Sequence, residues 1–326
     1  MKESVEFGYE ATAGTPVTPT TVWRGIGSGK DAREVVHVDE NIGKITPMLR
    51  TYVPKLYAEV TLEETVATFE QIAHLFQMGI DNVSSSQDGA GDGYIWEWLF
   101  PDTTENAIKS YTIRHGDDKA AKIIEYCAAG AITLKGASME SWMMGGEIFG
   151  RQSSTGSLAS PSVPTVEEIL FGNTKFYLDN STDAFGDTQL TGTALGAEIE
   201  IATGIKPLFT ADGQLYFNHL VYGPPVINGK LKFSHNATIQ AELAYHATQT
   251  QRLLRMIATG SAFSTTGTEY GEKTLIIDFP IIYSAVGNLE DNDGSNEITV
   301  DFLAGIDDEG NVPKITLVND LSALPS

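Results

Sequence analysis

The sequence predicts a mainly β protein made of two tandem β-sandwich or half-barrel units, each with one packed α-helix, plus an extended N-terminal arm and long loops. Three observations predict it. Short runs alternate apolar and polar residues with period two, and 32 glycines supply turns between them. The alternation gives way to helical spacing once in each half of the chain. A segment rich in Ser, Thr, Gly and Pro, residues 153–164, divides the 326 residues into near-equal halves.

The arm comes first. Residues 1–24 hold few aliphatic side chains, and Gly14-Thr15-Pro16-Val17 cannot be helical, because proline and the residue before it favour extended backbone. An arm that cannot bury itself is expected to lie on a neighbour, with Gly14, Thr15, Pro16, Val17 and Trp23 as its contacts. The first unit is expected over residues 25–152. Its opening, Gly25-Ile26-Gly27-Ser28-Gly29-Lys30, falls short of a phosphate loop: Arg24 stands where the first glycine belongs, and Asp31 where a magnesium-binding hydroxyl belongs. A flexible turn is expected there instead.

Residues 56–62 read as a half-buried strand. Leu56, Ala58, Val60 and Leu62 face the core, while Tyr57, Glu59, Thr61 and Glu63 face away. Phe69, Ile72, Ala73, Leu75 and Phe76 then recur at helical spacing, predicting a helix over residues 68–78 that ends at Gly79. Further strands are expected over 94–100, 110–114 and 131–135, with 122–129 open between strand and short helix. Tyr94, Trp96, Trp98 and Phe100 form a period-two aromatic row. Such a row packs a sandwich core more often than it stacks on a ligand.

After the 153–164 linker, the second unit is expected over residues 165–326. Residues 237–260 align without gaps on 56–79, an offset of 260 − 79 = 181. The alignment predicts a strand in which Thr238, Gln240 and Glu242 form the polar face, followed by a helix over 248–259.

Composition narrows the function. Acidic residues number 43 and basic residues 21, a net charge of −22, with Lys and Arg scattered singly. A nucleic-acid grip needs a basic patch. The single cysteine, Cys127, excludes an internal disulfide and a cysteine zinc site. No apolar leader follows Met1, and the most apolar stretch, 274–286, is broken by Asp278 and Pro280. No His-Glu-x-x-His or Gly-x-Ser-x-Gly pattern occurs among the six histidines and the serines. No catalytic, cofactor or metal site is therefore expected. Residues 291–297 carry alternating oxygen ligands, but Asn296 and Phe302 stand where a calcium loop needs Gly and Glu; a turn accounts for them, with weak calcium binding the other reading.

Several stretches, in order, resemble the tail tube (major tail) proteins of siphovirus-like bacteriophages. They are Gly8-Tyr9-Glu10 leading to Gly14-Thr15; Ala67-Thr68-Phe69-Glu70-Gln71-Ile72 with Leu75 and Gly79; and Trp96, Trp98, Phe100-Pro101, then Tyr111-Thr112-Ile113 and Gly116-Asp117. In the second half they are Lys175-Phe176-Tyr177-Leu178-Asp179, Gly204-Ile205-Lys206-Pro207 and residues 253–260. The resemblance implies a virion protein assembled in the bacterial cytoplasm. It implies homo-oligomeric rings that stack with other tail proteins into the conduit for DNA ejection, without membrane contact. Simple members of that family form sixfold rings and fused members close with half as many subunits, so trimer and hexamer both stand open. Residues 30–54 are expected to reach an adjacent ring. If the strands before the helices line the tube, Glu59, Thr61, Glu63, Gln240 and Glu242 face DNA, and their charge repels phosphate. The rival reading is an extracellular β-sandwich module that binds carbohydrate or another surface ligand through exposed aromatic rings.

Overall fold

A computed structural model describes residues 3–46, 49–292 and 294–325. The chain is mainly β, built from large antiparallel sheets. In chain order, the first unit contains β1 (Ser4–Tyr9), β2 (Thr21–Trp23), β3 (Gly27–Asp31), the hairpin β4 (Glu34–His37) and β5 (Thr51–Lys55), β6 (Ala58–Val66) and helix α1 (Ile72–Gly79). It continues through β7 (Ser86–Gln87), β8 (Tyr94–Leu99), β9 (Tyr111–Gly116), β10 (Ala121–Ala137), β11 (Met143–Gly150) and β12 (Gln152–Gly156). The second unit runs through β13 (Thr174–Asn180), β14 (Gln189–Leu190), β15 (Ala194–Ala202), the hairpin β16 (Ile205–Leu208) and β17 (His219–Tyr222), and β18 (Val226–Ser234). Helices α2 (Ala237–Glu242) and α3 (Ala244–Thr248) follow, then β19 (Arg252–Ala262), β20 (Glu272–Val286), β21 (Glu290–Asn292), β22 (Ser295–Ala304) and β23 (Lys314–Asn319).

The pairings repeat. Ladders β1·β2, β1·β9, β9·β10, β10·β11 and β10·β12 have counterparts in β13·β14, β13·β19, β19·β20, β20·β22 and β20·β23. Ladders β6·β11, β3·β6 and β4·β5 are matched by β18·β22, β15·β18 and β16·β17. Even a bulge recurs. Ala128 pairs with Phe149 and the register slips between Ala129 and Ala131; Ile282 pairs with Leu303 and it slips between Tyr283 and Ala285. Each of these positions is displaced by 154 (282 − 128 and 303 − 149). A bulge re-aims a strand, so its recurrence at one offset marks a copied backbone path rather than chance similarity.

The gapless offset of 181 is therefore wrong, and so are the elements it predicted. Residues 239–245, expected as a strand, fall in the two short helices α2 and α3; Asn236 caps the first by accepting the Ile239 N–H at 3.0 Å. Of residues 248–259, expected as a helix, 252–259 belong to β19, whose Arg252, Leu253, Leu254, Met256 and Ala258 are buried. A strand covered on both faces reads as a continuous apolar run, which periodicity cannot separate from a buried helix.

The N-terminal arm is also corrected. Val5, Phe7 and Trp23 are core residues, and β1 pairs with both β2 and β9. Gly14 takes positive φ (75°) and folds its N–H onto the buried Glu10 carboxylate at 2.7 Å, while its carbonyl accepts from Arg151 at 2.5 Å. Thr15 N–H bonds the Thr12 carbonyl and Val17 N–H bonds Thr112 Oγ1, so the segment is tied within its own chain. Backbone pairing and a few aromatics, rather than aliphatic content, hold it. The expected turn at Gly25–Lys30 is largely strand β3, and 122–129 is strand throughout, part of β10. Within 153–164, the first residues belong to β12, and Ala159 and Ser160 donate their N–H groups to Glu6.

Helix α1 forms in the predicted segment, starting at Ile72 rather than Thr68 and running to Gly79, and is buried along its length. A Cβ on Gly79 would lie 2.9 Å from Thr203 Cγ2 and 3.1 Å from the Ala129 Cβ, so close packing demands glycine there. Past the half-buried Tyr94, the aromatic row lies inside: Trp98 packs on Phe76 with centroids 5.1 Å apart, Trp96 stacks on Trp98, and Phe100 meets Phe279. Among the described residues its strand, β8, has no counterpart in the second unit and pairs instead with β23, crossing from one unit to the other. Residues 291–297 form the β21–β22 hairpin, with Asp293 outside the described residues.

Candidate assembly surfaces

The two units join through one ladder. Ala131–Ala137 of β10 pairs antiparallel with Ala202–Gly196 of β15. This fuses their inner sheets into the order β3-β6-β11-β10-β15-β18-β22-β20, with β21 continuing the line of β20. The long strands β10 and β20 bend into outer sheets, so all layers share one hydrogen-bonded network. Among the described residues, however, no ladder joins β3 to the β20–β21 end. The inner sheet does not close on itself within the chain.

Its two outer edges are the counterparts of the edges already joined. The stretch from β20 to β21 occupies the place that β10 offers to β15, and β3 occupies the place of β15. Gly287 turns its N–H inward to Thr299 at 2.8 Å, so alternation turns that of Asn288 outward. At β3, side chains occupy the edge: Gly29 donates its N–H to His115 Nδ1 at 3.1 Å and accepts from Lys122 Nζ at 3.1 Å.

One face of the inner sheet is core and the other polar. Ala58, Val60 and Leu62 are buried and Glu59, Thr61 and Glu63 point away, as the alternation requires. Glu59 is ion-paired with Lys30 across the β3–β6 ladder at 2.6 Å, and Thr61 stands opposite both Ser28 and Glu147. On the same face Lys135 bridges Glu64 (2.5 Å) and Glu198 (3.2 Å), and the bond to Glu64 raises its pKa. Glu63, Glu147, Glu200 and Asp301 join no ion pair among the described residues. The face is thus acidic with interspersed lysines. Gln240 and Glu242 are not part of it. Gln240 lies on α2 and contacts His235, while Glu242 is buried in a two-point pair with Arg252 (2.7 and 3.0 Å) and accepts from Tyr283 Oη at 3.1 Å. A helix in place of the expected strand puts Glu242 inward.

Other carboxylates have structural work. Buried Asp88 accepts N–H bonds from Thr268, Glu269 and Tyr270, and Asp179 accepts from Gly186, Asp187 and Thr188. Glu10 accepts from Gly14, Ser110, Thr112 and Tyr126. Part of the acidity therefore satisfies turn backbones, which charge counting does not reveal.

A third surface is apolar. The β16–β17 hairpin lies over the far end of the first unit's sheet. Ile205 and Phe217 are buried against Ala128 and Phe149; Phe217 sits 5.2 Å from the Tyr126 ring, and Leu56 donates its N–H to the Leu215 carbonyl at 2.8 Å. Arg151 clamps the loop, lying 4.7 Å from the Tyr216 ring centroid. Burial beneath Phe209 pushes the Tyr57 hydroxyl pKa up to about 12, and the Glu59 charge adds to the shift. The counterpart hairpin, β4–β5, has no such seat: Val35, Ile42, Ile45, Leu49 and Tyr52 are exposed.

No protein-family model and no curated protein matches the sequence. The tail tube of SPP1, determined by solid-state NMR and cryo-EM, aligns with TM-score 0.33 and 12% identity over 45% of this chain and 78% of that one. No helix among the described residues is long and apolar enough to cross a membrane.

Proposed function

We propose that the chain is a structural tail tube subunit of a long-tailed bacteriophage, acting by self-assembly and not by catalysis. The observation that carries this reading is the repeat. The molecule joins its two units edge to edge through β10·β15, and among the described residues the corresponding two edges have no strand partner, β3 carrying only the His115 and Lys122 side chains along it. An open sheet edge invites another strand, and a head-to-tail contact of this kind propagates until rotation closes it into a ring. Transferring the Ile132–Leu134 and Ile201–Ile199 register by 154 and 170 positions (201 − 31 = 170) pairs Val286–Asn288 of one chain with Asp31–Gly29 of the next.

Three chains, each with two units, make a pseudo-sixfold ring. Rings stack with other tail proteins into the virion tail, and the polar sheet face lines the channel for genomic DNA. Exposed carboxylates such as Glu63 keep phosphate from sticking, since they offer no counterion release. Electron microscopy of the concentrated, purified protein tests the reading: rings or tubes are expected, and a monodisperse monomer at all concentrations refutes it. The channel assignment has its own test in particles carrying Glu59→Lys and Glu63→Lys. Tubes should assemble but deliver DNA more slowly at low salt; delivery at the normal rate removes these residues from the channel.

A further inference from the structure

The seat of the β16–β17 hairpin has a vacant counterpart. Displacing the first-unit seat by 154 positions carries Tyr126 to Pro280, Ala128 to Ile282, Phe149 to Leu303 and Arg151 to Gly305. These residues, with Gln251 and Ile306, line a cleft of about 180 Å³. Where Phe149 is covered by the hairpin at 6% exposure, Leu303 is 45% exposed, and Ile306 beside it 46%. Tyr57, half-buried under the hairpin loop, corresponds to Val226 (227 − 58 = 169), which is also exposed. The second unit thus presents an apolar seat with nothing in it.

The unseated hairpin is its complement. Position 35 is the counterpart of 205 by the 170-residue offset of β3 and β15, so Val35 stands where Ile205 stands. Ile205 is 6% exposed and Val35 48%. The β4–β5 loop adds Ile42, Ile45 and Lys44, and the rim of the cleft beyond Ile306 carries exposed Asp308 and Glu309. Leaving both apolar surfaces in water forfeits burial that the matching pair achieves inside the chain.

We propose that the β4–β5 hairpin docks in the Pro280–Ile282–Leu303–Ile306 cleft of the next copy in the ring, as β16–β17 docks on the first unit. The occupant is a second copy of this chain, and the inference rests on the head-to-tail ring proposed above. The geometry is self-consistent: the chain whose β3 edge would meet the β20–β21 edge is the chain whose β4–β5 hairpin lies over the same unit.

Cross-linking tests it. The double variant Val35→Cys/Leu303→Cys places thiols on two exposed positions, while native Cys127 is fully buried and silent to a short bismaleimide. The double variant should give a covalent ladder that stops at the number of chains in one ring, and neither single variant should give a dimer. Val35→Cys with Ile306→Cys should give the same ladder, guarding against a poorly folded first pair. Rings in micrographs with no ladder from either pair overturn the docking and leave the ring intact. A ladder running past the ring number overturns it too, placing the hairpin on an adjacent ring. Absence of rings in the unmodified protein removes the ring reading itself, and the docking with it.

Discussion

Replacing Asn288 by proline separates the stability of the chain from its ability to join another. Asn288 lies between β20 and β21, exposed, with the inward bond made by its neighbour Gly287. Its own N–H faces the open edge. Proline deletes that donor and projects a ring toward whatever strand approaches. Within the chain the substitution removes no ladder bond, so unfolding free energy should change by less than about 0.5 kcal/mol. At a junction it deletes one ladder bond to the incoming β3 strand and sets the pyrrolidine ring against that strand, a loss of about 1–3 kcal/mol. Tenfold in affinity corresponds to about 1.4 kcal/mol, so each junction weakens roughly 5- to 150-fold. Light scattering across a concentration series, beside thermal unfolding, reads both quantities. Asn288→Ala keeps the N–H and should assemble normally. If Asn288→Pro forms rings at the same concentration as the parent, the β20–β21 edge is not the junction.

Four further outcomes concern the fold. Glu242→Gln leaves the Arg252 guanidinium buried without its counter-charge and should cost about 3–5 kcal/mol by chemical denaturation; a change below 1 kcal/mol would show that the pair is not buried in solution. Phe7→Ala should cost about 3–5 kcal/mol, and deleting the first twenty residues should unfold the chain, whereas a folded truncation seen by circular dichroism would restore the free-arm reading. Burial holds the His74 imidazole down at about 4 from 6.5. Between those values the unfolded chain takes up a proton that the fold refuses, so this contribution is full above pH 6.5 and is lost as pH falls toward 4. Relative to His74→Gln the parent should lose up to ~3 kcal/mol over that window; parallel stability–pH curves would refute it.

What was legible in the sequence was local. Alternation at Ala58, Val60 and Leu62 placed both faces of β6, and helical spacing from Ile72 placed α1. The duplication was legible as an idea but not as an alignment. The gapless match at 181 laid two apolar strings over each other, whereas the backbone repeats at 154 and 169 with insertions, β7–β8 among them. The alternation of Ile239, Ala241 and Leu243 points to a strand, and the feature that marks a helix there instead is the Asn236 cap. Phe7 and Trp23 were too few to outweigh the prolines around them, because the ladder bonds that hold β1 belong to β9, about a hundred residues away. The assembly edges were beyond reach for the same reason. An edge is defined by which strand is missing beside it, and that is known only when every other strand has found its partner.

The pairing of β8 with β23 sets an order in time. Leu99 is matched with Lys314, 215 residues later (314 − 99), and Trp96 donates its indole N–H to Asn319 at 3.1 Å. At synthesis rates of about 5–20 residues per second, β8 waits on the order of 10–40 seconds for its partner to be made. Through that interval the edge of β8 is bare beside two indole rings, the condition under which nascent chains find the wrong strand. A strand translated 215 residues later therefore finishes the first half of the molecule, and every emerging copy is vulnerable until that strand appears.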